Sequence, residues 1–293
     1  SDLQSCMLNP PGLSGEPQSS CFVITLKIRS LMEKKILYLL TCVGLCWSSC
    51  TNEVDEFIGN VEPSTRSVST ALNANLASLF TGGAPTLTSA EIKEVNDAYA
   101  KMTSINCYRN IDEAVRNKTS YAGTIFLDDT YASAYFRKGS LAFPPYGILA
   151  SSMEHEFIHM YQRDVQGKKV DTDKEKRDTG MMEFELAFYQ GIIRYIHAGY
   201  SWTFKGEDGD PSYQSLWTSG LTDPSLIPQY EREFQTYVAS ICANGKPTSI
   251  DINEFVKWSN IFGEYSRGYS GKGYKFGNYD YGTSCINSLL KLY

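Results

Sequence analysis

Histidine is scarce in this chain, with 3 among 293 residues. Cysteine is scarce beyond position 50, where only Cys107, Cys242 and Cys285 remain of a total of 8. Three widely spaced cysteines form at most one disulfide, which excludes a disulfide-framework protein, and no C-x-x-C pair offers a metal site. Basic residues are also few, since 27 Lys and Arg stand against 33 Asp and Glu and give a net charge of −6. Without a basic field for phosphate groups, nucleic acid is excluded as an expected partner.

The N-terminal region has an apolar run at residues 36–47, and its length of about 12 residues is too short to span a bilayer as a helix. A short basic start at Met32 and small residues before Cys50 complete the layout of a secretory signal peptide. The end of this segment resembles a bacterial lipobox, although Trp47 stands where such a box usually has an aliphatic residue. The resemblance implies cleavage before Cys50, a lipid on its thiol and attachment to a membrane surface. The alternative is that residues 36–47 form a buried core segment.

These features divide the chain into four predicted parts. Residues 1–31 are expected to be a non-native upstream extension, and residues 32–49 a lipoprotein signal peptide. Residues 50–75 are polar and suit a flexible tether, and residues 76–293 are expected to form a single folded domain. The protein is then expected in the cell envelope, lipid-anchored, and by resemblance to other lipoproteins at the outer membrane and displayed on the surface.

Two of the three histidines, His155 and His159, stand in an H-E-x-x-H motif. A helix is predicted here from about residue 148 to 165, and residues four apart on a helix lie on one face. Both imidazoles can therefore reach one metal ion, and Glu156 lies beside that ion, where its carboxylate can take a proton from water. The motif is that of a zinc metallopeptidase. The alternative is a chance pair of surface histidines.

A second helix, predicted from about residue 179 to 198, carries two candidates for a further metal ligand. With successive residues rotated by 100° around the helix axis, Glu185 lies on the apolar side of this helix and Glu183 on the opposite side. The side that carries Glu183 is predicted to face solvent. A carboxylate on an apolar face needs a compensating partner, and a metal ion is such a partner. We therefore favour Glu185 as the third ligand, with Glu183 left open.

The two motifs together resemble the gluzincin-type zinc metallopeptidases, in particular zinc-peptidase lipoproteins of Bacteroides-type bacteria. In that group the third ligand is a Glu on a second helix about 20 to 25 residues downstream; here Glu183 and Glu185 follow His159 by 24 and 26 residues. The resemblance implies that His155, His159 and Glu185 bind Zn²⁺ and that Glu156 is the general base. Gluzincins often carry an Asp shortly after the third ligand, and this chain does not.

The expected fold is α+β and zincin-like, mostly helical, with a small mixed sheet before the H-E-x-x-H helix. A strand is predicted over residues 132–142, where zincins have an edge strand that aligns an extended peptide substrate. The group that stabilises the oxyanion is not identified. The candidates are His197, Tyr274, Tyr279 and Tyr281.

The function predicted from the sequence is zinc-dependent hydrolysis of a peptide or protein substrate outside the cytoplasm. The alternative is a non-catalytic surface lipoprotein that binds glycan or protein ligands and has a vestigial or structural zinc site. The sequence carries no signal for an oligomeric state.

Overall fold

Helices make up most of the part of the chain that the structure describes, and one small mixed sheet precedes the helix that carries His155 and His159. Residues 71–169, 177–197 and 221–293 are described, from a computed structural model. The α-helices are α1 (Ala74–Leu79), α2 (Ser89–Ser104), α3 (Asn106–Lys118), α4 (Ala150–Met160), α5 (Arg177–His197), α6 (Ile227–Ile241), α7 (Ile252–Tyr265) and α8 (Ser284–Leu290). The strands are β1 (Ile125–Leu127), β2 (Tyr135–Arg137), β3 (Ser140–Phe143), β4 (Cys242–Ala243) and β5 (Lys246–Pro247). The predicted mostly helical chain with a small mixed sheet is confirmed.

The sheet before α4 has the strand order β1-β3-β2, with β3 parallel to β1 and antiparallel to β2. The single strand predicted over residues 132–142 is therefore wrong, because this stretch holds two strands joined by a turn. Lys138 and Gly139 form that turn with φ values of 51° and 79°. Two successive positive φ values are typical of the tight hairpin turns that match strand twist. Residues 137–140 read Arg-Lys-Gly-Ser and contain no large apolar side chain, so the sequence marks this turn, and the prediction of one strand ran through it. In this three-stranded sheet β2 is an edge strand.

Helix α4 continues directly into a π-helix, Tyr161–Val165. The two together cover the helix predicted to run from about residue 148 to 165. Met153, Phe157 and Ile158 of α4 are fully buried, so the helix is held rigidly in the core. A π-helical turn next to an H-E-x-x-H motif matches the general association of π-helices with functional sites.

Helix α5 is buried on nearly all sides. The phenyl rings of Phe184 and Phe188 are fully buried and contact Phe255 of α7 at centroid distances of 5.0 and 5.9 Å. On another side α5 packs against α4. A helix that is buried all round has no solvent-facing side on which a polar residue must lie. Polar residues in the middle of α5, such as Glu183 and Gln190, therefore face other elements of the protein.

The glycine- and tyrosine-rich stretch after α7 packs against the start of α5. Gly180 allows this approach, because a Cβ atom at that position would lie only 2.6 Å from the backbone oxygen of Lys275 and 3.3 Å from the Cβ of Tyr274. Glu183 stands one helical turn beyond Gly180. The close packing therefore brings this stretch beside Glu183.

The described residues all fall within one compact unit, Ser48–Tyr293, and a second unit, Ser1–Trp47, contains none of them. The predicted extension, signal peptide and lipidated Cys50 lie outside the described residues, as does most of the predicted tether. In the described ranges, no helix combines the length and apolar character needed to cross a membrane.

Candidate metal centre

His155 and His159 point their Nε2 atoms at the same place. One helical turn separates them on α4, and their Nε2 atoms are 3.2 Å apart, with the two rings nearly perpendicular at 81°. Their side chains are 17% and 19% exposed, so the site is largely buried but in contact with solvent. The two imidazoles therefore lie close enough to reach one ion, as the motif predicts.

Glu183 of α5 supplies the third donor of this cluster. Its Oε1 atom lies 3.3 Å from Nε2 of His159, and its Oε2 atom lies 3.8 Å from Nε2 of His155. Tetrahedral zinc with bonds of 2.0 to 2.1 Å separates its ligand atoms by roughly 3.3 Å. Donors of the three residues all lie within 4.8 Å of one another, so the set could hold a metal ion. Two imidazoles and one carboxylate are a donor set that zinc accepts in catalytic sites.

Glu185, in contrast, does not approach the imidazoles, and the expected set of His155, His159 and Glu185 does not assemble. Its side chain is fully buried, and its Oε2 atom accepts hydrogen bonds of 2.8 Å from Gln162 Nε2 and from the Tyr281 hydroxyl. The expectation that Glu185 lies with the two histidines is therefore wrong, and the residue that the structure places there is Glu183, the alternative left open by the sequence.

Two donors within the protein thus compensate the Oε2 atom of this buried carboxylate, whereas its Oε1 atom has no hydrogen-bond partner among the described residues. Besides the donors Gln162 and Tyr281, the positive charge of Lys168 acts on Glu185, and the Lys168 Nζ atom lies 2.7 Å from the carbonyl oxygen of Tyr281. Burial nevertheless raises the pKa of Glu185. The thiol of Cys285, the two donors and the charge of Lys168 act in the opposite direction, but burial outweighs them.

The general-base candidate Glu156 is buried, with 4% of its surface exposed. Burial raises the pKa of its carboxyl to about 8, and the positive charge of His159 opposes this rise. The carboxylate of Glu183 raises the pKa of Glu156 further, and the backbone N–H of Phe136 on the edge strand lowers it. Glu156 therefore lies within electrostatic reach of two of the three donors, and next to β2.

The donors themselves form a charged cluster without metal. Burial lowers the pKa of His155 to about 4, helped by the neighbouring His159. For His159 burial also acts to lower the pKa, but the Glu183 carboxylate outweighs it and raises the pKa to about 9. Burial alone would raise the pKa of Glu183; the charge and hydrogen bond of His159 outweigh it and bring that pKa to about 2.

Zinc uptake is expected to release protons at neutral pH. His159, with its pKa of about 9, is protonated there and must lose that proton to bind an ion, whereas His155 and Glu183 are already deprotonated. Glu156, with its pKa of about 8, also loses its proton beside a cation, so protons compete with zinc at low pH and the affinity rises by at least about tenfold per pH unit between about pH 5 and pH 8. Calorimetric titration in buffers of different ionisation enthalpy measures the protons released.

The control for this measurement is His197→Gln, which removes the histidine that lies at the end of α5. Its pH dependence is expected to match that of the unchanged protein. An affinity that stays constant across the range from about pH 5 to pH 8 would contradict the coupling of His159 to Glu183.

Two residues of the site were missed by the sequence reasoning. The hydroxyl of Tyr269 donates a 2.9 Å hydrogen bond to Oε2 of Glu183, and Oε1 of Gln162 accepts a 2.9 Å hydrogen bond from His159 Nδ1. The position of Gln162, three residues after His159 on the same helix face, is a signal that the sequence contains. No sequence signal singles out Tyr269 among 20 tyrosines, because only the packing of its loop on α5 brings it to Glu183.

Among the oxyanion candidates, Tyr274 is the one on which the Glu183 carboxylate acts. The pKa of its hydroxyl is raised by burial and by the carboxylate of Glu183. The other three candidates have different surroundings. The Tyr281 hydroxyl donates a hydrogen bond to Glu185, and Tyr279 is 57% exposed. The His197 ring contacts the ring of Tyr293 at a centroid distance of 5.8 Å.

No protein-family model, no curated protein and no solved structure matches this chain. The resemblance to gluzincin lipoproteins therefore stays a prediction.

Proposed function

We propose that this protein is a zinc-dependent peptidase with a zincin-like fold, in which Glu156 is the general base. The ligands would be His155, His159 and Glu183, so the arrangement is gluzincin-type with Glu183 in the role first expected of Glu185. The observation that carries the proposal is the convergence of three suitable donors from two helices on one point, with a carboxylate of raised pKa next to them.

A bound Zn²⁺ would supply Lewis acidity, which polarises a carbonyl group and makes a water molecule more acidic. Glu156 would take the proton of the attacking water and pass it to the leaving amine. Its pKa of about 8 without metal suits a group that must both accept and release a proton near neutral pH, and a cation beside it favours the charged form that accepts.

The donor count supports a catalytic rather than a structural ion. Structural zinc sites use four protein ligands, whereas catalytic sites use three and leave a position for water or substrate. Across residues 71–169, 177–197 and 221–293, the group of His, Cys, Asp and Glu that could hold a metal has three members. Their side chains are between 17% and 21% exposed, which leaves the site open to solvent.

The edge strand β2 supports a peptide substrate. An extended peptide can bind to an edge strand by backbone hydrogen bonds, and this places its scissile bond beside any group that the strand adjoins. Phe136, the middle residue of β2, has its backbone N–H near the Glu156 carboxylate. A peptide added to β2 would therefore pass the general base.

The proposed location is outside the cytoplasm, on the cell envelope, with a lipid on Cys50 as the membrane anchor. The sequence of residues 32–50 supports this part of the proposal.

The test is hydrolysis of a mixed-sequence peptide library by the purified protein as it is isolated. We expect cleavage that stops after treatment with a chelator and returns on addition of about one equivalent of Zn²⁺, because the donors cannot replace the ion's Lewis acidity. Mass spectrometry of the products reads out the cleavage positions. A protein that binds zinc with these donors and cleaves no peptide, casein or other protein substrate would contradict the peptidase and support the non-catalytic lipoprotein.

A further inference from the structure

The side of His159 that faces away from the other two donors is held by a chain of buried hydrogen bonds. Its Nδ1 atom lies 2.9 Å from Oε1 of Gln162. The Nε2 atom of Gln162 donates to the carbonyl oxygen of Met182 at 2.9 Å and to Oε2 of Glu185 at 2.8 Å. The hydroxyl of Tyr281 donates to the same Glu185 oxygen at 2.8 Å. The chemistry proposed for Glu156 uses none of these groups except His159.

This chain determines which nitrogen of His159 faces the other donors as a ligand. The Met182 carbonyl can only accept, so the amide nitrogen of Gln162 must face it and the amide oxygen must face His159. An amide oxygen can only accept, so Nδ1 of His159 carries a hydrogen. When the ring is neutral, its lone pair then lies on Nε2, the atom that faces His155 and Glu183.

The burial of these groups shows that the arrangement is specific. Gln162 and Glu185 are both fully buried, although both are strongly polar. A buried amide without hydrogen-bond partners is costly, whereas an apolar side chain of similar size would fill the space without that cost. Both the oxygen and the nitrogen of the Gln162 amide have partners, so its orientation is fixed.

We propose that Gln162 is a positioning residue, which holds His159 as the Nδ1–H tautomer with Nε2 directed at the ion. Glu185 and Tyr281 in turn hold Gln162, and this is the role of the carboxylate first taken for a ligand. The inference rests on the metal site proposed above. It also gives Tyr281 a role at that site, because Tyr281 helps to hold Glu185 and through it Gln162.

The first test compares the zinc affinity of the unchanged protein with that of Gln162→Leu. Removal of the partner of a metal-ligating histidine typically costs about 10- to 100-fold in metal affinity, and we expect a loss in that range. Thermal unfolding of both metal-free proteins shows whether the variant is folded. Equal zinc affinity in a folded Gln162→Leu would overturn the proposal.

The second readout is spectroscopic and needs no activity. In the Co²⁺-substituted protein, the proton on Nδ1 of His159 should give a slowly exchanging, strongly shifted NMR signal, because Gln162 shields and accepts it. The signal should be lost or exchange rapidly in Gln162→Leu. A ring bound to Co²⁺ through Nδ1 in the unchanged protein would overturn the proposal even if the variant does not fold.

The third comparison exchanges the two polar side chains. Gln162→Glu alone sets a carboxylate against Glu185 and is expected to bind zinc weakly. The double variant Gln162→Glu with Glu185→Gln removes this repulsion and leaves the acceptor for His159 in place, so its zinc affinity should exceed that of Gln162→Glu alone. A double variant that is folded and binds zinc more weakly than Gln162→Glu would overturn the proposed relay.

Failure of this inference can be told apart from failure of the peptidase. Zinc binding by the unchanged protein that is insensitive to Gln162 overturns the positioning role and leaves the site. Zinc binding that depends on Gln162, without peptide hydrolysis, supports the positioning role and contradicts the peptidase. An unchanged protein that binds no zinc overturns both.

Discussion

Replacement of Glu156 by Gln is expected to reduce peptide hydrolysis by about 10²- to 10⁴-fold while the bound zinc is retained. Gln has nearly the same size and fits the same buried position, but its amide does not take up a proton near neutral pH. The donors His155, His159 and Glu183 are unchanged, so the metal content should be unchanged too. The measurements are kcat/KM on a peptide that the unchanged protein cleaves, and zinc content by mass spectrometry.

Glu154→Gln is the matched control for this variant. Glu154 stands on the same helix two residues earlier, is also buried, with 8% of its surface exposed, and is outside the group of metal donors. Its replacement makes the same chemical change within the same helix, so hydrolysis should fall far less than in Glu156→Gln. Equal activity of Glu156→Gln and the unchanged protein would contradict the role of general base.

The second large effect is a contrast between two glutamates of α5. Glu183→Gln removes a charged donor from the cluster and is expected to lower zinc affinity by more than the roughly 10- to 100-fold typical of groups that only support a ligand. Glu185→Gln keeps an oxygen that can accept from Gln162 and Tyr281, so its affinity should stay within several-fold of the unchanged protein. Competition with a chromophoric chelator measures both affinities.

The two variants control for one another, because each removes one carboxylate from the same helix. The reverse order of affinities would show that Glu185 is the ligand, as the sequence pattern first indicated. Equal, unchanged affinities would show that neither carboxylate contacts the ion, and would contradict the site.

The choice between Glu183 and Glu185 shows where sequence reasoning reached its limit. A helical pattern divides residues into two sides, and the apolar side of α5 was correctly expected to be buried. The polar side was taken for a surface, but in the structure it faces α4, and the Glu183 side chain is only 21% exposed. Periodicity records which residues share a side, but it does not record what covers that side.

The hairpin was marked in the sequence, whereas the partner of Glu185 was not. The polar run at residues 137–140 interrupts the apolar residues at the turn, and the prediction of one strand ran through this break. The need of a buried carboxylate for a partner was correctly inferred from general energetics. Its partner Tyr281 lies 96 residues away along the chain, and such pairing is decided by packing alone.

The sequence by itself determined the local part of the candidate site. Four-residue spacing on a helix brings His155 and His159 to one face, and adjacency places Glu156 beside them, because helix geometry is set by nearby residues. The tertiary structure alone decided the third donor and the support of His159. Both depend on how α5 and the segment after α7 pack against α4, and those contacts join residues that local periodicity cannot relate.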